Sequence, residues 1–320
     1  MDSINEKVYE VYEKPNWLRR HVIETVIIIG GLLAINLIFI ADVYRETNTV
    51  NAENAAHLGD FVGGFIGTIF TLISVVLLYS TLRDQRESSH IEKFENKYFE
   101  LIKMHRDNVT EFGAEKYSGK KLFVLMIREF RLIQKIVKQI AETLSLEFSS
   151  KEVFAISYYV LFIGVGPNSS RMLRKALVKY GNEFAEALID RFSSHEVKAE
   201  NKSERKLEYT PFEGHQSRLG HYFRHLLQAI AYVDNQKIDI DKYEYVKTIR
   251  AQLSTHEQAL LFINSQNPIG KAWEDQALIR RYRLVKNIPQ DFFDPENEID
   301  ITEGFPKDYF EWQEPSDPQS

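Results

Sequence analysis

Two blocks of the chain are almost free of polar side chains. VIETVIIIGGLLAINLIFIA runs twenty residues from Val22 to Ala41 with Glu24 as its one ionisable group, and FVGGFIGTIFTLISVVLLY runs nineteen from Phe61 to Tyr79 with none. At 1.5 Å per residue, each predicts a helix able to cross a hydrocarbon core of about 30 Å. A buried helix of a soluble protein can also be apolar all round. Two such blocks in succession near the N-terminus favour a membrane hairpin instead. A cleaved signal peptide would carry a shorter apolar core, of about 7–15 residues, whereas the first block here runs on into DVYRETN.

Beyond Tyr79 the pattern turns helical and amphipathic. Leu82, Ile91, Phe94, Tyr98, Leu101, Ile102 and Val109 recur at helical spacing, which predicts that the second span continues as a stalk. GKKLFVLMIREFRLIQKIVKQIAETLSLEF predicts a second amphipathic helix. SSKEVFAISYYVLFIGVG opens with a capping box, Ser149 with Glu152, and its apolar run is too short to span a bilayer, so it reads as a buried core helix. PNSSRMLRKALVKYGNEFAEALIDRF predicts one further helix. Three more follow over His215–Val233, Asp241–Gln252 and Thr255–Ser265, the last opened by a second capping box, Ser254 with Glu257. GKAWEDQALIRRYRLVKNI closes the packed part.

The expected fold is therefore all-α: an N-terminal two-helix transmembrane hairpin followed by a cytoplasmic helical domain. The predicted parts are 1–21 (cytoplasmic), 22–41 (first span), 42–60 (external loop) and 61–80 (second span). After them come 81–192 (stalk and first helical part), 193–214 (mobile polar linker), 215–288 (second helical part) and 289–320 (acidic aromatic tail). Lys14, Arg19 and Arg20 precede the first span and Arg83, Arg86, Lys93 and Lys97 follow the second, while the connecting loop holds Arg45 alone. That asymmetry puts both termini in the cytoplasm, with Trp17, Tyr44 and Tyr79 as interfacial anchors.

Glycine within a helix costs about 1 kcal/mol relative to alanine, so its placement in the second span asks for a reason. Gly59, Gly63, Gly67 and Thr71 recur at four-residue spacing with Gly64 beside them, and Gly30 and Ala34 repeat that spacing on the first span. Small-residue stripes let membrane helices approach backbone to backbone. The contact they offer is either within one hairpin or between copies of the chain. Glu24, Asn36 and Asp60 are the polar groups in or at the spans, and such groups tend to face a bundle interior or a water path. Glu24 has the simpler option of pairing with Arg20.

Composition removes several chemistries. There is no cysteine among 320 residues, so no disulfide, thiolate zinc site or cysteine nucleophile can operate. The formal charge of −6 argues against a general nucleic-acid binder. It is unevenly spread: Pro289–Ser320 holds ten Asp or Glu against Lys307, leaving +3 on the rest as the difference between −6 and −9. The tail mixes that charge with Phe292, Phe293, Phe305, Tyr309, Phe310 and Trp312, which reads as a docking segment, because such aromatics are costly to leave in water. The run Arg280–Lys286 reads as a solvated helix face or an inner-leaflet contact.

The densest candidate chemistry is GHQSRLGHYFRH. His221 and His225 are spaced for one helix face, with His215 upstream and His256 as a distant third donor, but no glutamate separates them as in HExxH metal sites. Hydrogen-bonded histidines at a helix interface are the favoured reading, with no metal and no cofactor. Arg218 and His225 resemble the Arg-x(4–6)-His signature of HEPN ribonucleases, although Leu219 stands where those enzymes carry a polar residue. In IRAQLSTHE, Ser254 caps the following helix and Arg250 supplies charge at the end of the preceding one.

Taken in order, GDFVGG leading into LLYSTLRDQRE, FENKYFELIKMHRDNV, GKKLFVLMIREF, GHQSRLGHYFRHLLQAIAYV and YVKTIRAQLSTHEQALLFIN resemble the phage abortive-infection family. They are also similar to two-span effectors of some retron-type defence systems. On the cytoplasmic side the resemblance rests on His215, Gly220, His221, Arg224, His225, Arg250, Gln252, Ser254 and Glu257. Family members often carry Asn-Pro after the paired glycines; Gly67-Thr68 stands here, so no proline kink is expected. The resemblance implies a two-pass protein of the bacterial inner membrane that disrupts or depolarises it on infection, arresting or killing the cell. Implied partners are membrane lipid, further copies of the chain, and a reverse transcriptase–non-coding RNA complex or another phage sensor, with no small-molecule substrate. The enzymatic alternative is a membrane-tethered ribonuclease using Arg218 and His225.

Overall fold

A computed structural model describes residues 29–31, 33, 45–46, 49–111, 113–114, 117–293 and 300–313. The chain divides into two compact units, Met1–Ser88 and Ser89–Ser320. Among the described residues the fold is all-α, with twelve α-helices and only two two-residue β-ladders, Arg45–Glu46 with Thr49–Val50 and Gly113–Ala114 with Tyr117–Ser118.

In the first unit, α1 (Ala52–Asp60) opens at Asn51, whose side chain accepts the amides of Glu53 and Asn54, both at 3.1 Å. The sequence predicts a loop over 42–60, but this cap starts the helix well before the apolar run. A π-helical segment, Phe61–Ile66, follows, and then α2 (Gly67–Glu111). Together they form one helix, Ala52–Glu111, with a window apolar and long enough to cross a membrane and none of that window buried. A π-turn bonds i to i+5 and takes up an extra residue. The stripe through Gly59, Gly63, Gly64 and Gly67 therefore does not keep the phase of a plain α-helix.

Of the first predicted span only residues 29–31 and 33 are described. Glu24, Ala34 and Asn36 lie outside the described residues, so the hairpin itself does too. Apart from the backbone of their own helix and their chain neighbours, no described atom comes within 4 Å of where a Cβ would sit at Gly30, Gly59, Gly63 or Gly64. The hydroxyls of Thr68, Thr71 and Thr81 donate to the carbonyls of Gly64, Gly67 and Leu77, so these polar groups are satisfied inside their own helix. Asp60 is exposed and caps nothing.

The second unit begins within α2, where Phe94, Tyr98, Leu101, Ile102 and Val109 are buried. It continues with α3 (Lys120–Thr143), α4 (Ser150–Ile163), α5 (Ser169–Leu177) and α6 (Asn182–Ser193). Then come α7 (His195–Glu204), α8 (Gln216–Asp234), α9 (Lys242–Arg250), α10 (Thr255–Ser265), α11 (Lys271–Asp275) and α12 (Leu278–Arg281). Helix α4 is the core: its capping box is formed and ten of its side chains are buried, against α3, α5, α8 and α10. The single helix expected over 167–192 is two, because Gly181 takes φ +100° after a short 3₁₀ turn and the chain restarts there.

The predicted linker, 193–214, is folded. Ser194 caps α7, Val197 and Asn201 are buried, and the irregular return that follows brings Leu207 and Phe212 into the core. This return crosses the end of α4 at two glycines. Gly164 (φ +79°) and Gly214 (φ +86°) meet so closely that a Cβ on either would lie 2.2–2.3 Å from the other segment's backbone. The tail also packs. Tyr309 and Phe310 are buried, the Tyr309 hydroxyl donates to Ile279 O at 2.7 Å, and the Trp312 indole donates to Ile288 O at 2.9 Å. The tail's described aromatics thus dock on their own domain.

Candidate functional site

Helix α8 carries the densest run of candidate residues and sorts them onto two sides. Leu219, Tyr222, Phe223, Leu226, Ile230 and Val233 point into the core. His221 and Arg224 are exposed, whereas Arg218, Gly220 and His225 are half-buried. The rings of His221 and His225 lie nearly parallel with centroids 6.1 Å apart. A shallow groove of about 580 Å³ runs beside them, with Gly214, Ser217, Gly220, His221 and Arg224 on one wall and Ser169 of α5 opposite.

His215 does not join that face. It is the residue before the first turn, turned inward and 2% exposed, with Nε2 2.8 Å from Glu129 Oε2. Glu129, on α3, is fully buried and also accepts the Tyr209 hydroxyl at 2.6 Å and the Phe212 amide at 2.7 Å. One carboxylate therefore ties the folded return to two helices. Burial, then the Glu129 charge and hydrogen bond, holds the Tyr209 phenol well above its ordinary pKa. His215 Nδ1 is buried without a hydrogen-bond partner. His256 is elsewhere again, its ring 5.2 Å from that of Phe292. The His215–His221–His225–His256 set considered from spacing is thus divided, and no three His, Asp or Glu converge as metal ligands among the described residues.

A second buried network joins α8 to α10. Glu257, 1% exposed, completes its capping box by accepting the Ser254 amide at 2.8 Å and hydroxyl at 2.7 Å. Its other oxygen accepts the Tyr222 hydroxyl at 3.1 Å. Lys120 Nζ stands 3.8 Å from Glu257 and donates to Gln252 O at 2.7 Å, so the start of α3 is fixed to the α9–α10 turn. Burial first, and then the Glu257 charge, pushes the Tyr222 phenol well above its usual range. His105 of α2 packs on Tyr222, ring centroids 4.9 Å apart, with Nδ1 unpartnered. Burial, helped by His225 and Lys120, lowers its pKa to about 4, so it is neutral.

Arg250 sits in the last turn of α9, where a helix-end charge is expected, and its guanidinium also serves a distant element. It is 5% exposed and its Nη1 donates to Tyr282 O at 3.0 Å and Arg283 O at 3.3 Å, closing the end of α12 rather than of its own helix. Of the paired residues in the ribonuclease reading, Arg218 lies within electrostatic reach of the Tyr209 phenol and His225 within reach of His105. The sequence reading missed Glu129, Tyr209, His105 and Lys120. Glu129 had a signal, a carboxylate on the apolar face of α3 between Met126 and Ile133.

No curated protein and no solved structure matches the chain significantly. The segment that holds α8, both ends of the Tyr222–Glu257 contact, and Arg250 does have a relative among protein families: residues 214–293 match the family model described as putative phage abortive infection protein.

Proposed function

We propose that this chain is a membrane effector of bacterial antiphage defence that acts by abortive infection. The observation that carries the reading is an apolar helix with no buried face in one unit, in a chain whose other unit contains the abortive-infection segment. In this reading Phe61–Tyr79 is the second of two spans, Val22–Ala41 is the first, and the protein is two-pass in the inner membrane with cytoplasmic termini. The packed unit holds the spans quiet. Infection releases them, through a reverse transcriptase–RNA complex or another sensor, and copies then associate through Gly59, Gly63, Gly67 and Thr71. The inner membrane loses its potential and the cell stops growing, without a substrate being turned over.

The test is a membrane-potential dye in cells making the full chain, with and without phage. Gly63→Leu together with Gly67→Leu should leave the protein in the membrane fraction and abolish depolarisation. Unchanged killing by that variant, or recovery of the intact chain as a soluble species, would overturn the reading. Loss of toxicity in Arg218→Ala or His225→Ala, with RNA cleavage by the parent, would instead favour the tethered ribonuclease.

A further inference from the structure

Helix α3 has an apolar face, used entirely by the core, and an outward face of unusual charge. Lys120, Lys121, Arg128, Arg131, Lys135 and Lys138 lie on its exposed or half-exposed side, and its outward carboxylate, Glu142, waits until the last turn. From Lys121 to Lys138 the line is about 26 Å long at 1.5 Å per residue. Arg128, Arg131, Lys135 and Lys138 follow one another at spacings of three, four and three, so each meets a like charge on the helix surface. Such pairs destabilise a helix by about 0.2–0.5 kcal/mol each. No acid occupies a position three or four away from Arg128, Arg131 or Lys135 to relieve them.

At the start of the face Lys120 already pairs with Glu257, while around Arg131 the neighbouring elements add positive charge. Burial, Arg205 and Arg128 together hold the Arg131 guanidinium below its ordinary pKa, and burial with Arg131 and Arg128 does the same to His256. Arg131 is fixed in place by stacking on Phe292, 5.2 Å from the ring centroid, and by donating to its carbonyl. No carboxylate lies within ion-pair distance of Arg128, Arg131 or Lys135 among the described residues.

We propose that the outward face of α3 binds the phosphodiester backbone of a nucleic-acid strand, without sequence preference. A single row of cations fits a single row of phosphates, and phosphate contacts position a strand without reading its bases. A bilayer surface is the poorer fit. Interfacial helices insert Trp, Phe or Leu beside their basic face, and here those side chains are spent on the core, leaving Val124, Gln134 and Gln139 between the cations. The tail, where the net negative charge resides, reaches this face through Phe292 on Arg131, so Arg128 and Lys135 are the cations open to a strand. The inference stands apart from the membrane reading above.

Fluorescence anisotropy tests it, with the full chain in neutral detergent and a labelled oligouridylate long enough to span the helix. Binding should weaken steeply with salt, with a log–log slope of about −0.7 for each phosphate engaged on a single strand. Arg128→Gln with Lys135→Gln should lower that slope by about 1.4 in magnitude and weaken low-salt binding, while helix content and membrane fractionation stay as in the parent. Absence of binding at low salt, or a slope unchanged in the double variant, overturns the inference. So does displacement of the strand by phosphatidylglycerol vesicles but not by unlabelled strand, which would make the face a lipid contact. Should the double variant misfold, photocrosslinking of a thiouridine-substituted strand to the parent decides, with adducts expected within residues 120–138. The Gly63→Leu, Gly67→Leu variant should bind the strand like the parent, which keeps failure here distinct from failure of the depolarisation reading.

Discussion

Helix α2 contains two stretches of similar residue types with opposite fates. Between Ile69 and Leu82 its large apolar side chains are 45–72% exposed, whereas Phe94, Tyr98, Leu101, Ile102 and Val109 are at most 7% exposed. The difference is one of pattern. The later stretch is a stripe, with Glu92, Glu100, Lys103 and Arg106 exposed on the other side, and one packed face is all it needs. The earlier stretch carries no ion until Arg83 and is apolar on every side. No single protein face could cover it. Leaving a Leu-sized side chain in water forfeits about 1.5–3 kcal/mol, and this run of ten belongs to a helix long and apolar enough to cross a bilayer.

Four changes would break or sharpen that contrast. Removing the buried carboxylate of the packed half, Glu129→Ala, strands His215, the Tyr209 hydroxyl and the Phe212 amide. Loss of a buried charged partner costs about 3–5 kcal/mol, so urea unfolding followed by tryptophan emission should shift far to lower denaturant, with membrane fractionation retained. Next is acid sensitivity centred on His105. Its folded pKa, about 4, lies below the unfolded value of 6.5, so the unfolded chain takes the proton first and stability falls as pH drops from 6.5 to 4. The full loss is roughly 3 kcal/mol. His105→Leu should flatten that part of the stability–pH curve and change little at pH 8.

The exposed half answers to a different assay. Leu72→Arg puts a cation mid-span at a cost of about 2.5–3.5 kcal/mol. It should reduce the carbonate-resistant membrane fraction and leave the urea midpoint of the packed half where it was. A shifted midpoint would mean that the two stretches are not energetically separate. The smallest effect belongs to a cap. Ser254→Ala removes one acceptor from the first turn of α10, worth about 1 kcal/mol, and should lower the melting temperature by a few degrees without touching membrane association.

Local signals in the sequence located most of the helices. Both capping boxes are formed where Ser149, Glu152, Ser254 and Glu257 predict them, and the apolar run after Ser150 is the core helix. What sequence could not supply was long-range pairing. HEVKAENKSE looks like linker because only Val197 and Asn201 of α7 turn inward, and two positions do not make a visible period. Arg250 reads as a helix-end charge until Tyr282 and Arg283 arrive beside it from thirty-odd residues away. Glu129 is legible as an anomaly, but its partners lie 80, 83 and 86 residues downstream. The histidines of GHQSRLGHYFRH share a short segment, yet one faces Glu129 and another a solvent-open groove.

The crossing of Gly164 and Gly214 has a practical corollary. Val165 N donates to Phe212 O at 2.8 Å and His215 N to Leu161 O at 3.0 Å, so the seam is stitched on both sides of the contact. A protease that nicks the exposed turn around Glu204 cuts the polypeptide but not the stitching. The two fragments should elute together from a sizing column and separate only in denaturant, which makes limited digestion a direct readout of whether this seam opens.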